Sequence, residues 1–305
     1  MELHCWSDMA TYDKLQTDIV AIQIELCNAC PLASCVECSY RFMERPIGSM
    51  PLDFAKMVID GAVEAFGTAI NFNLNGLGEP LSYPYLPEII RYIGQKSRGR
   101  IELFTSLIGP PERITDVCRA LLEVNNNVLL ATTCHIRDSE GEILKKTANH
   151  FQFPIIYNLL GNIPRIDLHV ATNVSIYTTD EDIKTFNEVF LPILGKDKVH
   201  VIERLDSWLE YIRPVAKECS DVTSPAVCDY LYRVLFIEWN GKVTQCCTDT
   251  IKDEFVIGEI KEKDDIKKIW FSPEMEELRR RHNELDCKDL APCNRCSRTH
   301  GYLTR

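Results

Sequence analysis

IVAIQIELCNACPLASCVEC, residues 19–38, is an apolar run that passes directly into four cysteines. Residues 19–25 read as a strand, rich in β-branched side chains and ending on the carboxylate of Glu25. Cys27, Cys30, Cys35 and Cys38 follow where that strand must stop.

Downstream of this stretch the chain repeats a strand-then-helix pattern. Phe54, Met57, Val58, Ala62 and Phe66 have helical spacing, and Gly67 is a natural stop. Further strands are expected at 69–74, 101–105, 128–133, 166–172 and 199–203. Helices are expected around Leu86 to Ile93, from Pro110-Pro111 through Leu122, at 140–150 and at 180–190. Repeated strand–helix units imply parallel strands with right-handed crossovers. The expected fold over residues 19–205 is therefore an α/β partial (β/α)6 barrel, with a doubly wound sheet as the alternative. In both, ligands lie beyond the C-terminal ends of the strands, where the first cysteines fall.

The alternation stops after about residue 205. Residues 232–239 and 242–245 flank Asn240-Gly241, a strong hairpin signal. Ser272-Pro273-Glu274 opens a helix with a cap, a first-turn proline and an early acid. Residues 206–305 are too poor in apolar side chains for an independent core, so a small C-terminal domain held by metal is expected. Residues 1–18 form a separate N-terminal segment.

Composition narrows the function classes. The chain has 305 residues and a formal net charge of −11, a field that repels phosphate backbones and argues against nucleic acid as a partner. No stretch approaches the roughly 18 apolar residues of a membrane helix. Met1 to Lys14 lacks the basic start and apolar core of a secretory signal, so a cytoplasmic protein is expected. The 14 cysteines fall mainly into two groups, 27–38 and 228–296, which in such a chain read as metal ligands.

The run from Ile24 to Cys38 resembles the signature loop of the radical S-adenosylmethionine (SAM) superfamily, with Glu25 ahead of the cysteines. That resemblance implies a 4Fe–4S cluster on three thiolates, whose open iron chelates SAM. Aligned from Glu25, the ligands are Cys30, Cys35 and Cys38, spaced one residue wider than usual, with Cys27 the alternative first ligand. Glu37 stands where relatives carry an aromatic residue. Taken alone, the four cysteines also suit a zinc site. Asn75-Gly76-Leu77-Gly78-Glu79-Pro80, closing the second strand, resembles the superfamily's Gly-Gly-Glu-Pro turn and tips the balance from zinc. The resemblance assigns Gly78, Glu79 and Pro80 to SAM, Glu79 holding its ammonium, and adds Ser106 and Thr133 at the ends of later strands. His135, Arg137 and His169 are candidates for lining a substrate cavity.

Cys228, Gly241, Cys246 and the pair Cys293 and Cys296 resemble the SPASM and Twitch extensions of the same superfamily. The cysteine count fits one auxiliary 4Fe–4S cluster on Cys228, Cys246, Cys293 and Cys296, with Cys247 and Cys287 left over. A thiol at Cys247, beside that cluster and facing the barrel mouth, suits a hydrogen-atom donor. The short tail and acidic charge resemble aminoglycoside epimerases and aminocyclitol dehydrogenases of antibiotic pathways. The expected reaction is hydrogen abstraction from a small, cationic sugar or aminocyclitol, ending in epimerisation. Dehydrogenation, or modification of a peptide, is the alternative. A barrel starting near residue 19 leaves no room for an N-terminal peptide-recognition domain. The reaction also implies an electron donor of the flavodoxin or ferredoxin kind. An iron–sulfur electron carrier has no use for the Gly78-Glu79-Pro80 turn.

Overall fold

The computed structural model describes residues 19–32, 35, 38–134, 149–175, 177–202, 204–205, 218–219, 227–247 and 251–296. The N-terminal segment 1–18, most of the helix expected at 140–150, Glu203 at the end of the sixth strand, and His135, Arg137 and Glu37 lie outside them.

The first six strands are β1 (Ala21–Ile24), β2 (Asn71–Asn73), β3 (Ile101–Thr105), β4 (Val128–Thr133), β5 (Ile166–Asn173) and β6 (Val199–Ile202). Between them run α1 (Leu52–Phe66), α2 (Leu86–Lys96), α3 (Pro111–Glu123), α4 (Asn149–Leu160) and α5 (Asp180–Leu194). Gly67 ends α1 at a φ of 87°, a left-handed conformation that suits glycine. Thr179 and Asp182 close a reciprocal capping box on α5. The helix α4 contains Pro154, a residue that masks a helix in sequence. The C-terminal region adds the two-residue strands β7 (Arg204–Leu205) and β8 (Glu218–Cys219), then α6 (Tyr230–Arg233), β9 (Val234–Ile237), β10 (Lys242–Thr244), β11 (Val256–Glu259), α7 (Lys263–Trp270) and α8 (Pro273–Asn283).

Nine strands form one open sheet in the order β11-β10-β9-β1-β2-β3-β4-β5-β6. Strands β1 to β6 are parallel and in sequence order, and the sheet does not close into a barrel. The hairpin read at Asn240-Gly241 is present, but it does not stand apart. Its first strand, β9, pairs in parallel with β1, from Ala21 opposite Val234 to Ile24 opposite Ile237. Among the described strands of this sheet β10 alone runs against the others, antiparallel to both β9 and β11.

Side chains alternate across these strands. Ile22, Ile24, Phe72, Leu74, Ile101, Leu103, Val128, Leu130, Ile166, Leu168 and Val170 belong to the main core under the helices. Helix α1 packs against both α2 and α7, so the helix layer continues into the C-terminal region. There, Arg279 of α8 donates from Nε to Leu231 O and from Nη1 to Trp270 O, tying α6, α7 and α8 together. The opposite face carries Gln23, Asn73, Glu102, Asp167, His169 and His200 in the alternate positions. A parallel sheet is normally apolar on both faces. This polar second face marks where the sheet meets something other than its own helices. Among the described residues no helix is long and apolar enough to cross a membrane.

Candidate active site

The cysteine loop leaves the C-terminal end of β1. Cys27 is buried in the core and bridges to Ser49. Its thiol donates to the carbonyl of Glu79 at 3.6 Å, and burial pushes it up to about 12. Cys30 and Cys38 are half-buried and lie close enough for their charges to interact. Burial, and then the neighbouring charges of Glu79, Cys38 and Cys27, push Cys30 up to about 12 as well. Tyr40 closes the loop from below: its hydroxyl accepts from the backbone N–H of Cys30 at 3.2 Å, and its own N–H donates to Cys38 Sγ at 3.4 Å. Its ring packs with Leu77 and Ile251 against Cys30 and Cys38.

The turn after β2 seats on this loop. Glu79 N donates to Ala29 O at 2.9 Å. A Cβ on Gly78 would stand 2.5 Å from Cys27 O and 2.6 Å from Asn28 Cα, so only glycine allows this approach. The Glu79 carboxylate is buried. It accepts from Leu81 N at 3.1 Å, from Ser106 N at 2.7 Å and from the Thr105 hydroxyl. Glu79 thereby joins the ends of β2 and β3, with Pro80 buried directly behind it. Thr133 is half-buried at the end of β4. Gly78, Glu79, Pro80 and Ser106 are brought together, with Thr133 one strand beyond Ser106.

A charged group lies behind the turn. Glu25, fully buried, accepts from Leu77 N at 3.0 Å and takes both terminal nitrogens of Arg45 at 2.9 Å. Arg45 also meets Glu238 at 2.9 Å and Asp253 at 3.4 Å. Neither Tyr40 nor Arg45 was singled out in the sequence. An aromatic residue two places after the last cysteine was a usable signal for Tyr40, whereas nothing local marks Arg45.

In the second cysteine group Cys293 is the most deeply buried member of the expected ligand set. Cys293 is held well above the usual thiol range by burial first, then by Cys246, Cys228, Cys296 and Cys287 around it. Cys246 and Cys247 follow β10, whose last residue, Thr244, pairs with Phe236, itself the partner of Gln23 on β1. The Tyr230 hydroxyl is within hydrogen-bond reach of the Cys247 thiol and donates to Gln23 Oε1 at 2.7 Å. Gln23 in turn donates to Asn75 O at 3.0 Å. Among the described residues, no three Cys, His, Asp or Glu side chains gather as they would around a single metal ion.

On the polar face of the sheet, Gln23, Asn73 and Glu102 are in register across β1, β2 and β3. Among the described residues the buried Oδ1 atoms of Asn73 and Asn75 have no hydrogen-bond partner. Burial raises the Glu102 carboxyl above its ordinary range. Farther along, His169 Nδ1 lies 3.0 Å from His200 Nε2, and its Nε2 lies 3.0 Å from Asp167. Burial and then the neighbouring His169 lower His200.

Residues 228–297 match the SPASM family, an iron–sulfur cluster-binding domain. The four expected ligands, Cys228, Cys246, Cys293 and Cys296, all fall inside that match. No curated protein sequence matches the chain. Solved structures do. BtrN in complex with AdoMet and 2-DOIA is 19% identical, with 90% of this chain and 89% of that one covered and a TM-score of 0.55. Native anSMEcpe with bound AdoMet is 12% identical, covering 91% and 86% at a TM-score of 0.55. SuiB of Streptococcus suis, bound to precursor peptide SuiA, is 12% identical, covering 86% and 67% at a TM-score of 0.58. The chain shares the fold of these solved structures, two of which hold AdoMet, in line with the resemblance read from the sequence.

Proposed function

We propose that the chain is a radical SAM enzyme that epimerises a small, cationic sugar or aminocyclitol, with Cys247 returning the hydrogen. The observation that carries this reading is the polar face of the sheet, to which Cys247 is linked by hydrogen bonds through Tyr230 to Gln23. Cys30, Cys35 and Cys38 would hold the first 4Fe–4S cluster, and Cys228, Cys246, Cys293 and Cys296 the auxiliary one. The half-exposed Cys30 beside Cys38 fits a ligand better than Cys27, whose thiol is committed to Glu79 O inside the core. When bound, SAM and the first cluster would supply a 5′-deoxyadenosyl radical that removes a substrate hydrogen; a donor of the flavodoxin or ferredoxin kind would supply one electron for that cleavage and a second that, with a proton from solvent, returns the Cys247 thiyl to a thiol.

The protein's own residues do the rest. Gly78 lets the turn close on the cysteine loop, and Glu79 fixes Ser106 beside it. That arrangement gives Glu79 a different part from the one first expected. Three donors occupy its carboxylate, so it orients the SAM-binding backbone in addition to any charge it offers the ammonium. Asn73, Asn75 and Glu102 present acceptors to the face, which suits a ligand rich in hydroxyl and ammonium donors. BtrN, with its bound small molecule, is in line with this substrate class, while SuiB with its precursor peptide keeps a peptide substrate as the alternative.

The test is anaerobic turnover in heavy water with aminoglycoside and aminocyclitol candidates, followed by mass measurement. Epimerisation gives a product enriched by one deuterium at the inverted carbon, because a thiol exchanges with solvent. Cys247→Ala should then form 5′-deoxyadenosine without inverted product. A product lighter by two hydrogens would replace this reading with dehydrogenation and leave Cys247 a packing residue.

A further inference from the structure

The charged group behind the Gly-rich turn draws on both halves of the chain. Glu25 belongs to β1 and Arg45 to the strap that follows the first cysteine loop. Glu238 directly follows β9, and Asp253 precedes β11, both within the SPASM match. Arg45 meets the acidic side chains of Glu25 and Glu238 at 2.9 Å and of Asp253 at 3.4 Å, while Lys242 reaches Asp253 at 2.7 Å. Glu25, Arg45 and Glu238 are all below a tenth exposed. Burying charge is costly unless partners and hydrogen bonds compensate, and removing one partner then costs more than the pair contributes. Here the compensation comes from across the domain boundary.

Other contacts run the same way. Glu44 N donates to Ile251 O at 2.9 Å, and Lys252 meets Glu44 at 2.8 Å. Ile251 packs with Tyr40 and Leu77, one from each part of the proposed SAM site. A Cβ on Gly48 would fall 2.4 Å from the Trp239 ring, so the strap lies directly on the hairpin. On its other side Gly48 N donates to Asn28 Oδ1 at 2.8 Å, within the cysteine loop.

We infer that Arg45 is a positioning residue through which the SPASM domain sets the geometry of the SAM-binding end. Arg45 holds Glu25, Glu25 holds Leu77 N, and Leu77 lies in the turn that places Gly78 and Glu79 on the cysteine loop. Glu238 and Asp253 anchor Arg45 from the other domain. This inference rests on the radical SAM reading. Its content is that a substitution in the SPASM domain, remote from SAM, alters SAM binding.

The experiment measures SAM affinity by equilibrium dialysis on the anaerobically reconstituted protein. The release of iron to a chelator and the thermal midpoint are followed in parallel. Asp253→Asn, which leaves both cysteine groups untouched, is expected to weaken SAM on the order of tenfold and to speed chelation of the first cluster. Arg45→Met should do more, and Arg45→Lys should recover part of the loss. Where Arg45→Met does not fold, Asp253→Asn and Arg45→Lys carry the test. Variants that melt earlier yet bind SAM and release iron as the wild type does would overturn the inference, since a purely structural contact behaves that way. A wild-type protein that holds iron but binds no SAM would instead overturn the radical SAM reading. In that case unchanged chelation rates in Asp253→Asn would dismiss the coupling on its own evidence.

Discussion

Glu79 and Glu238 are both buried carboxylates, and their surroundings give them opposite characters. Glu79 accepts three hydrogen bonds from the ends of two strands. Glu79→Gln replaces one acceptor by a donor that faces those donors. It should cost about 1–3 kcal/mol of stability and loosen SAM as well, read by thermal melting and dialysis. Gly78→Ala has a steeper consequence, because its methyl meets the backbone of Cys27 and Asn28 below 3 Å, so the turn must lift from the loop. Glu238 has Arg45 on one side and the carboxylates of Asp253 and Glu25 on the other, and burial chiefly, with those carboxylates, pushes it up to about 9. Its pKa is raised on folding, so between its ordinary carboxylate range and about 9 the folded protein holds a proton that the unfolded chain releases. Its contribution to stability is thus present in acid and lost as pH rises through that window. Glu238→Gln should flatten the fall of the melting midpoint between pH 6 and pH 9, by about the range over which the carboxyl ionises. An identical fall in wild type and variant would show that Glu238 is ionised throughout.

The hairpin is the element whose role the sequence left open. Asn240-Gly241 announced the turn, and Gly241 adopts a φ of 88° there. What local pattern does not reveal is its partner. β9 is an apolar run, Val234 to Ile237, buried on all four residues, and such runs belong inside a sheet and not at its margin. Its place beside β1 follows from that burial, but no residue of β1 names β9 over any other strand. For the same reason Arg45 was not legible. A buried arginine is explained by Glu25, Glu238 and Asp253, which are separated from it by up to about two hundred positions. The parallel core and the Gly78-Glu79-Pro80 turn were legible because their signals are local: repeating apolar strands and a glycine beside a carboxylate. β3 and β4 begin and end where residues 101–105 and 128–133 predicted. Helix α4 was missed because Pro154 breaks its pattern. Removing the chain after Leu205 would expose the edge of β1 that faces β9, leaving the N–H and C=O groups on that side without a partner. That truncated chain should aggregate instead of folding as a free barrel. Light scattering and circular dichroism at several concentrations would check this, and a soluble, helical, monomeric fragment would count against it.

At the scale of the whole molecule, one cysteine group follows β1 and the other follows β10 and α8, so the two are read as separate sites. Two clusters should therefore assemble independently, on Cys30, Cys35 and Cys38 and on Cys228, Cys246, Cys293 and Cys296. Anaerobic reconstitution is expected to give about eight irons per chain, as two 4Fe–4S clusters require. Cys30→Ala should retain about four, with the remaining cluster unresponsive to SAM in its electron paramagnetic resonance spectrum. Cys293→Ala should also retain about four, but that cluster's spectrum should shift when SAM is added. Cys27→Ala is the decisive control for the ligand choice. Cys27 is packed against the core and its thiol donates to Glu79 O, so its loss should lower the melting midpoint and leave both clusters in place. Loss of the SAM-responsive cluster in Cys27→Ala, with Cys30→Ala keeping it, would assign the first ligand to Cys27. The loop would then have to turn that thiol out of the core as it loads iron.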